Sequence, residues 1–243
     1  MDPILLVLAY AAAAATTASL GAAPFLIRRQ LPVAWLGWAN AVAAGLMLGA
    51  AYLLFVRGLR SAPGIAPLGA GLGILFVVWT HHALGTTEID LHQLADTPPE
   101  YGYQVFLVAS LHSVAEGIAI GAAMAVSLPF GGFLALAIAL HNIPEGAVLC
   151  AVLGARGVRV ASAAGLAVIA NVGQVLLAIV AYALITAAPG IRPWMLGFAV
   201  GALFHLVMVE LLPESYRQAG HRSIALVTIV AMGMVVLLSG QTP

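Results

Sequence analysis

The segments LHSVAEG (residues 111–117) and LHNIPEG (residues 140–146) lie 29 residues apart and follow nearly the same pattern. Each places a histidine and a glutamate four residues apart within a long apolar stretch. Ionisable side chains are costly at membrane depth, and those that occur there usually mark the pathway of an ion or another substrate. The two segments therefore predict consecutive membrane helices that share a functional centre.

The composition of the chain is that of an integral membrane protein. Of its 243 residues, 63% are hydrophobic and 7% are charged, whereas about 25% of a soluble domain is charged. The formal net charge is zero, which gives no indication of nucleic-acid binding. Cys150 is the single cysteine, so no disulfide can form within the chain. The start Met1-Asp2-Pro3 lacks the basic region of a cleaved signal peptide, which predicts a retained first helix.

The hydropathy pattern predicts an all-α membrane protein, with a single transmembrane domain of eight helices over residues 1–243. Each stretch has the roughly 20 apolar residues that a membrane helix needs, and the breaks between stretches carry proline, glycine or arginine. The predicted helices cover residues 4–27, 33–56, 64–82, 103–125, 130–153, 160–186, 192–212 and 222–240.

The basic residues, all of them arginines, predict the orientation of the bundle. With the N-terminus outside, six of the nine arginines fall on the cytoplasmic side. Because arginine concentrates in cytoplasmic loops, both termini are predicted to be extracytoplasmic. The chain is rich in alanine, glycine and arginine, which is typical of a prokaryote, so the predicted location is the prokaryotic plasma (inner) membrane.

The stretch from about residue 83 to 102 is the long polar connection of this chain, and this orientation makes it cytoplasmic. It is acidic, contains histidine and has no basic residue. Such a segment could weakly capture divalent cations, although a solvated linker is the commoner alternative for a loop of this length. The candidate residues for cation capture are His81, His82, Glu88, Asp90 and His92.

Helical geometry places each histidine of the two segments on the same face as its glutamate. Positions four apart on an α-helix differ by about 40° around the axis, and their Cβ atoms are about 5–6 Å apart. A short hairpin joins the two helices, so the pair His112 and Glu116 should face His141 and Glu145. Two imidazoles and two carboxylates are suitable ligands for a first-row divalent metal. The alternative, hydrogen bonding between helices with a neutral glutamate, explains two matching pairs less well.

Neutral polar residues beside the two histidines extend the candidate site. Ser113 and Asn142 lie about 100° from their histidines and about 60° from the glutamates, so the carboxylates could bridge two ions. Two carboxylates compensate the charge of one divalent cation, which predicts one strong position and at most one weak position. Asn171 and Gln174 on the sixth helix are candidate neutral ligands, with hydrogen bonding between helices as the alternative.

Further features concern the surroundings of the candidate site. Pro144 predicts a break in the fifth helix, because proline removes a backbone donor and clashes with the preceding turn. Gly117 and Gly146 predict close helix packing at the same depth. On the seventh helix, His205 and Glu210 are candidates for lining an entry or exit path.

The segment at residues 141–146, His-Asn-Ile-Pro-Glu-Gly, resembles a motif of the ZIP family of divalent-metal (zinc/iron) transporters. The copy at residues 112–117 keeps the histidine, glutamate and glycine of that motif but not its asparagine and proline. Residues 210–217, followed by Gly220 and His221, are similar to the end of the seventh helix of the family. The eight predicted helices agree with the family as well.

The resemblance implies a two-metal site between the fourth and fifth helices, and a homodimer. The first implied position is formed by His112, Glu116, His141 and Glu145. The second implied position combines the two glutamates with Ser113, Asn142 and a group from the sixth helix. Family members often have a glutamate on that helix, where this chain offers Asn171 or Gln174.

The pattern and the resemblance together predict a secondary transporter in the lipid bilayer, not an enzyme, which carries a divalent metal into the cytoplasm. Zn²⁺ is the preferred cargo, although imidazole–carboxylate sites also accept Fe²⁺, Mn²⁺, Co²⁺ and Cd²⁺, and no separate cofactor is expected. The chain has no phosphate-binding loop for ATP. The alternatives are an intramembrane metalloenzyme, a metal sensor without transport, and a carrier of a non-metal substrate.

Overall fold

The computed structural model describes residues 2–28, 31–84 and 100–240, with the backbone alone at 100–102. Every regular element in this part of the chain is a helix. Eight of the described stretches are long and apolar enough to cross a membrane, which confirms the predicted all-α bundle of eight membrane helices. We number them spans 1 to 8 in chain order: Pro3–Leu26, Val33–Ser61, Ile65–Leu84, Tyr103–Val126, Leu128–Ala155, Val160–Ala187, Pro189–Ala219 and His221–Ser239.

Span 7 continues beyond its predicted end. The sequence predicts an end near residue 212, but the helical segment Leu212–Ala219 extends the span. Pro213 lies in the first turn of that segment, just after the π-helical turn Val207–Leu211. The span ends at Ala219, and the following residue, Gly220, has a φ of 78°, a conformation that glycine adopts at no steric cost.

The helices differ from the predictions at two positions, Pro144 and Asn171. The predicted break at Pro144 is wrong, because Leu128–Ala155 runs through it as one helix; neighbouring helices support a proline-containing membrane helix. Span 6 is interrupted instead at Asn171, between the helical segments Val160–Ala170 and Val172–Ala187. The sequence has no proline at that position, and Asn171 with the nearby Gly173 gives a weak signal for a helix end.

Two sets of spans form the bundle. Spans 1, 4, 5 and 6 pack on one another, and so do spans 2, 3, 7 and 8. The sets meet where span 2 packs on span 5 and where span 4 packs on span 7. Spans 4 and 5, which carry the two matching segments, therefore lie along the boundary between the sets.

Two glycines allow close packing around spans 4 and 5. A Cβ atom at Gly146 would overlap the backbone carbonyl of Ala18 on span 1, and one at Gly117 would overlap the backbone carbonyl of Gln174 on span 6. Small residues permit such close approach between membrane helices. The predicted packing role of these two glycines is confirmed.

Candidate metal site

The four predicted ligands meet between spans 4 and 5. The Nε2 atom of His141 lies 3.0 Å from Glu116 Oε1 and 4.0 Å from Glu145 Oε2. The Nδ1 atom of His112 lies 3.6 Å from Glu145 Oε1. We call these four residues the acid–imidazole centre. Ligand atoms of Glu116, His141 and Glu145 all lie within 4.8 Å of one another, which is close enough to hold one metal ion.

The hairpin between spans 4 and 5 places the two pairs at the same depth. Ser127 caps span 5 by accepting a hydrogen bond from the Phe130 backbone N–H at 3.3 Å. The two helices approach closely there, since a Cβ atom at Gly131 would overlap Met124. A hairpin this short makes the spans antiparallel neighbours, so side chains about four turns from the connection on each span face one another.

The carboxylates of the centre are buried and incompletely paired. Among the described residues, Glu116 Oε2 and both Glu145 oxygens are buried without a hydrogen-bond partner. Glu116 has no exposed surface, and His141 is 1% exposed. Buried polar atoms without partners call for an explanation such as an ion or water, and a cation among these oxygens would compensate their charge.

A second group of candidate ligands adjoins the centre. The Nε2 atom of His112 lies 3.1 Å from Glu210 Oε2, and the Nε2 atom of His81 lies 3.2 Å from Glu210 Oε1. Ligand atoms of His81, His112 and Glu210 also lie within 4.8 Å of one another. His205, the other candidate on span 7, is half-buried. The sequence suggested Glu210 as a pathway residue but gave no signal of its contact with His81.

Two of the five predicted cation-capture residues lie in the described part of the chain, and they differ in burial. His81 is buried on span 3 and contacts Glu210 on span 7, so it lies inside the bundle. Its predicted role in cation capture stays a prediction. His82 is exposed near the end of the same span. Glu88, Asp90 and His92 lie outside the described residues.

The neutral candidates form a separate cluster, which we call the neutral polar group: Ser113, Asn142, Asn171 and Gln174. The Asn142 side-chain amide donates to the Ala14 carbonyl and to Gln174 Oε1, both at 2.9 Å. The Gln174 amide donates to the Ala11 carbonyl at 3.1 Å. These bonds join spans 1, 5 and 6, so the predicted alternative of hydrogen bonding between helices is present in the structure.

The interruption of span 6 belongs to the same group. The Ser113 hydroxyl donates to the Ala170 carbonyl at 3.0 Å, and the Asn171 amide donates to the Ala167 carbonyl at 3.0 Å. These side chains satisfy carbonyls at the end of the first segment of span 6, which would otherwise lack donors. Within the described part of the chain, Asn142 Oδ1 and Asn171 Oδ1 are buried without a hydrogen-bond partner and are therefore available as neutral oxygen ligands.

Fold and site together define a multi-pass membrane protein with buried candidate metal ligands. The family model of the ZIP zinc transporters matches residues 80–239. The chain therefore belongs to the ZIP family, as the two matching segments predicted. The description of that family is one of zinc transporters.

Three relatives span distant organisms, and the names of all three contain the words "zinc transporter". An Arabidopsis thaliana protein is 31% identical over 231 residues, which are 93% of this chain and 37% of the relative. The Drosophila melanogaster protein foi is 25% identical over 156 residues, 64% of this chain and 22% of the relative. The Myxococcus xanthus protein GufA is 30% identical over 112 residues, 46% of this chain and 44% of the relative.

The chain spans less than half the length of each of these relatives. Two of the three come from eukaryotes and one from a bacterium. The relatives therefore give no support to the predicted prokaryotic inner membrane, while the eight apolar spans and the family establish a multi-pass membrane protein.

Proposed function

We propose that this protein carries a divalent transition metal, with Zn²⁺ as the preferred cargo, across the membrane into the cytoplasm. The acid–imidazole centre binds the ion during transport. The observation that carries this proposal is a set of three carboxylate oxygens on Glu116 and Glu145, beside two imidazoles, that are buried without hydrogen-bond partners in the described part of the chain. Membership of the ZIP family and the names of the relatives support it.

The chemistry of the centre suits one doubly charged ion. Two carboxylates compensate its charge, and two imidazole nitrogens complete a four-ligand set of the kind that Zn²⁺ prefers. The same set admits Fe²⁺, Mn²⁺, Co²⁺ and Cd²⁺. Imidazole must be neutral to bind a metal, so protons compete with the ion and acidification weakens binding.

The membrane potential can drive the ion inward. Moving one charge across the membrane is worth about 2.3 kcal/mol per 100 mV, and a divalent ion doubles that value. In the proposed orientation both termini are extracytoplasmic, and the segment from about 83 to 102 is cytoplasmic. His205 and Glu210 on span 7 line the path, and a homodimer remains a prediction from the family resemblance.

The neutral polar group supplies a second, weaker position in this proposal. Its amide and hydroxyl donors are engaged with backbone carbonyls, but Asn142 Oδ1 and Asn171 Oδ1 are unpartnered among the described residues. These oxygens carry no net charge, so an ion there depends on Glu116 or Glu145 for compensation. We therefore expect one tightly bound ion and at most one weakly bound ion at this level.

The test is uptake of radiolabelled Zn²⁺ into proteoliposomes with an inside-negative potential. The wild-type protein should take up the label above the level of empty liposomes, and unlabelled divalent metals should compete in an order that ranks the cargo. Glu116→Ala should reduce uptake to the level of empty liposomes. The matched control is Leu136→Ala on span 5, whose side chain is 58% exposed and should have no effect. Wild-type uptake at background level would refute transport, and normal uptake by Glu116→Ala would refute the assigned centre.

A further inference from the structure

His112 takes part in two groups of candidate ligands through its two ring nitrogens. Its Nδ1 atom lies 3.6 Å from Glu145 Oε1 in the acid–imidazole centre. Its Nε2 atom lies 3.1 Å from Glu210 Oε2, on the opposite side of the ring. The His112 side chain is 7% exposed, so both carboxylates meet it within the bundle. One side chain thus connects two potential cation positions.

The second group draws on spans that the centre does not use. His81 comes from span 3 and Glu210 from span 7, and these two spans pack extensively on each other. His112, on span 4, belongs to both groups through its contacts with Glu145 and Glu210. Because span 4 packs on span 7 where the two sets of spans meet, the second group lies across that boundary.

The backbone around Glu210 departs from α-helical geometry, which supports a ligand role for this side chain. Glu210 lies in a π-helical segment, Val207–Leu211, between the α-helical segments Arg192–Leu206 and Leu212–Ala219. Single π-helical turns within α-helices are rare overall, but those that occur are often at functional sites. The wider turn changes the angular position of Glu210, whose two oxygens contact one imidazole each.

We infer that His81, His112 and Glu210 form a further divalent-cation position, and that the ion occupies it in alternation with the acid–imidazole centre. This inference rests on the proposed function, because it takes the transported metal as the ligand. Two imidazole nitrogens and a carboxylate oxygen make a three-ligand set that leaves a place for water or the departing ion. The Glu210 side chain is 27% exposed, so this position is less enclosed by protein than Glu116 and His141 of the centre.

Charge explains why the two positions differ in affinity. The acid–imidazole centre offers two carboxylates, whereas the further position offers one, so a divalent ion there remains partly uncompensated. The ion is consequently bound more weakly and released more easily. Two doubly charged ions on either side of one imidazole would repel each other strongly in a medium of low dielectric constant, and this favours alternation over joint occupancy.

The inference is tested in a variant whose acid–imidazole centre has been removed. Isothermal titration measures the binding of Cd²⁺ to the purified protein in detergent. The double variant Glu116→Ala/His141→Ala removes ligands that belong to the centre alone. It should still bind one ion, about tenfold more weakly than the wild type or weaker still. Adding Glu210→Gln or His81→Ala should abolish that residual binding. Adding Leu75→Ala should leave it unchanged, because Leu75 is a 63% exposed apolar side chain on the same span as His81.

Two results would overturn the inference: a folded double variant that binds no Cd²⁺, or residual binding that survives Glu210→Gln. Folding is checked by size-exclusion chromatography and thermal unfolding. If the double variant does not fold, Glu210→Gln in the wild-type background decides. There it should slow Zn²⁺ uptake about tenfold or more while tight binding at the centre persists, and unchanged uptake would contradict the inference. If the proposed function fails, the wild-type protein will show no Zn²⁺ uptake, whatever the binding results. That outcome distinguishes it from a failure of the inference.

Discussion

The acid–imidazole centre and the neutral polar group share two helices but have different partners. His141 and Asn142 are consecutive on span 5, yet His141 contacts Glu116 while Asn142 donates to the Ala14 carbonyl of span 1 and to Gln174 of span 6. Consecutive residues of an α-helix differ by about 100° in direction. One helix therefore presents charged candidate ligands to one side and neutral packing contacts to the next.

The two regions also differ in how completely their atoms are paired. The side-chain donors of the neutral polar group bond to carbonyls or to each other, and the oxygens left unpartnered among its described atoms, Asn142 Oδ1 and Asn171 Oδ1, carry no net charge. Three carboxylate oxygens of the centre are buried without partners among the described residues. Hydrogen bonds between membrane helices contribute modestly, about 0.6 kcal/mol on average, whereas unpaired buried charge is expensive. The first arrangement is typical of structural contacts and the second of a binding site.

The largest expected effect is the difference in Zn²⁺ uptake between variants of His141 and of its neighbour Asn142. His141→Ala should lower the initial rate of Zn²⁺ uptake by more than about 100-fold, because loss of a direct ligand exceeds the usual cost of losing a supporting contact. Asn142→Ala should lower it by no more than about tenfold. The measurement is uptake into proteoliposomes at matched protein content, with Leu140→Ala, a change at a 48% exposed side chain, as the control. Equal losses in both variants would remove the distinction between the two regions.

A smaller effect concerns the packing that holds span 5 against span 1. Gly146→Ala should destabilise the protein by about 1–3 kcal/mol, because the added methyl group overlaps the Ala18 carbonyl. Gly154→Ala on the same span is the matched control, since nothing lies within 4 Å of its Cβ position. That change should stabilise the helix by about 0.5–1 kcal/mol. Thermal unfolding in detergent measures both, and shifts of the same sign would contradict the assignment of a packing face.

The smallest expected effect tests whether Gln174 serves structure more than binding. Gln174→Leu removes its bonds to Asn142 and to the Ala11 carbonyl and should destabilise the protein by about 1 kcal/mol. The affinity of the tight Zn²⁺ position should stay unchanged within experimental error, as titration of the purified variant would show. A pronounced loss of affinity would make Gln174 a member of the tight position.

Much of the architecture was predictable because it depends on local patterns. The eight spans follow from stretches of about 20 apolar residues, and the close approach at Gly117 and Gly146 follows from small residues at matching depth. The predictions were wrong at Pro144, where the helix continues, and silent at Asn171, where span 6 is interrupted. In both cases neighbouring spans decide whether a backbone irregularity is tolerated.

The amino-acid sequence alone determined that two histidine–glutamate pairs lie on single faces of adjacent helices, because helical periodicity is a local property. The contact between His81 and Glu210 depends on residues 129 positions apart and on a π-helical segment in span 7. Local sequence does not encode how spans 3, 4 and 7 pack around that segment. The tertiary structure therefore decided that His112 faces two carboxylates, since the direction of each ring nitrogen depends on packing between distant parts of the chain.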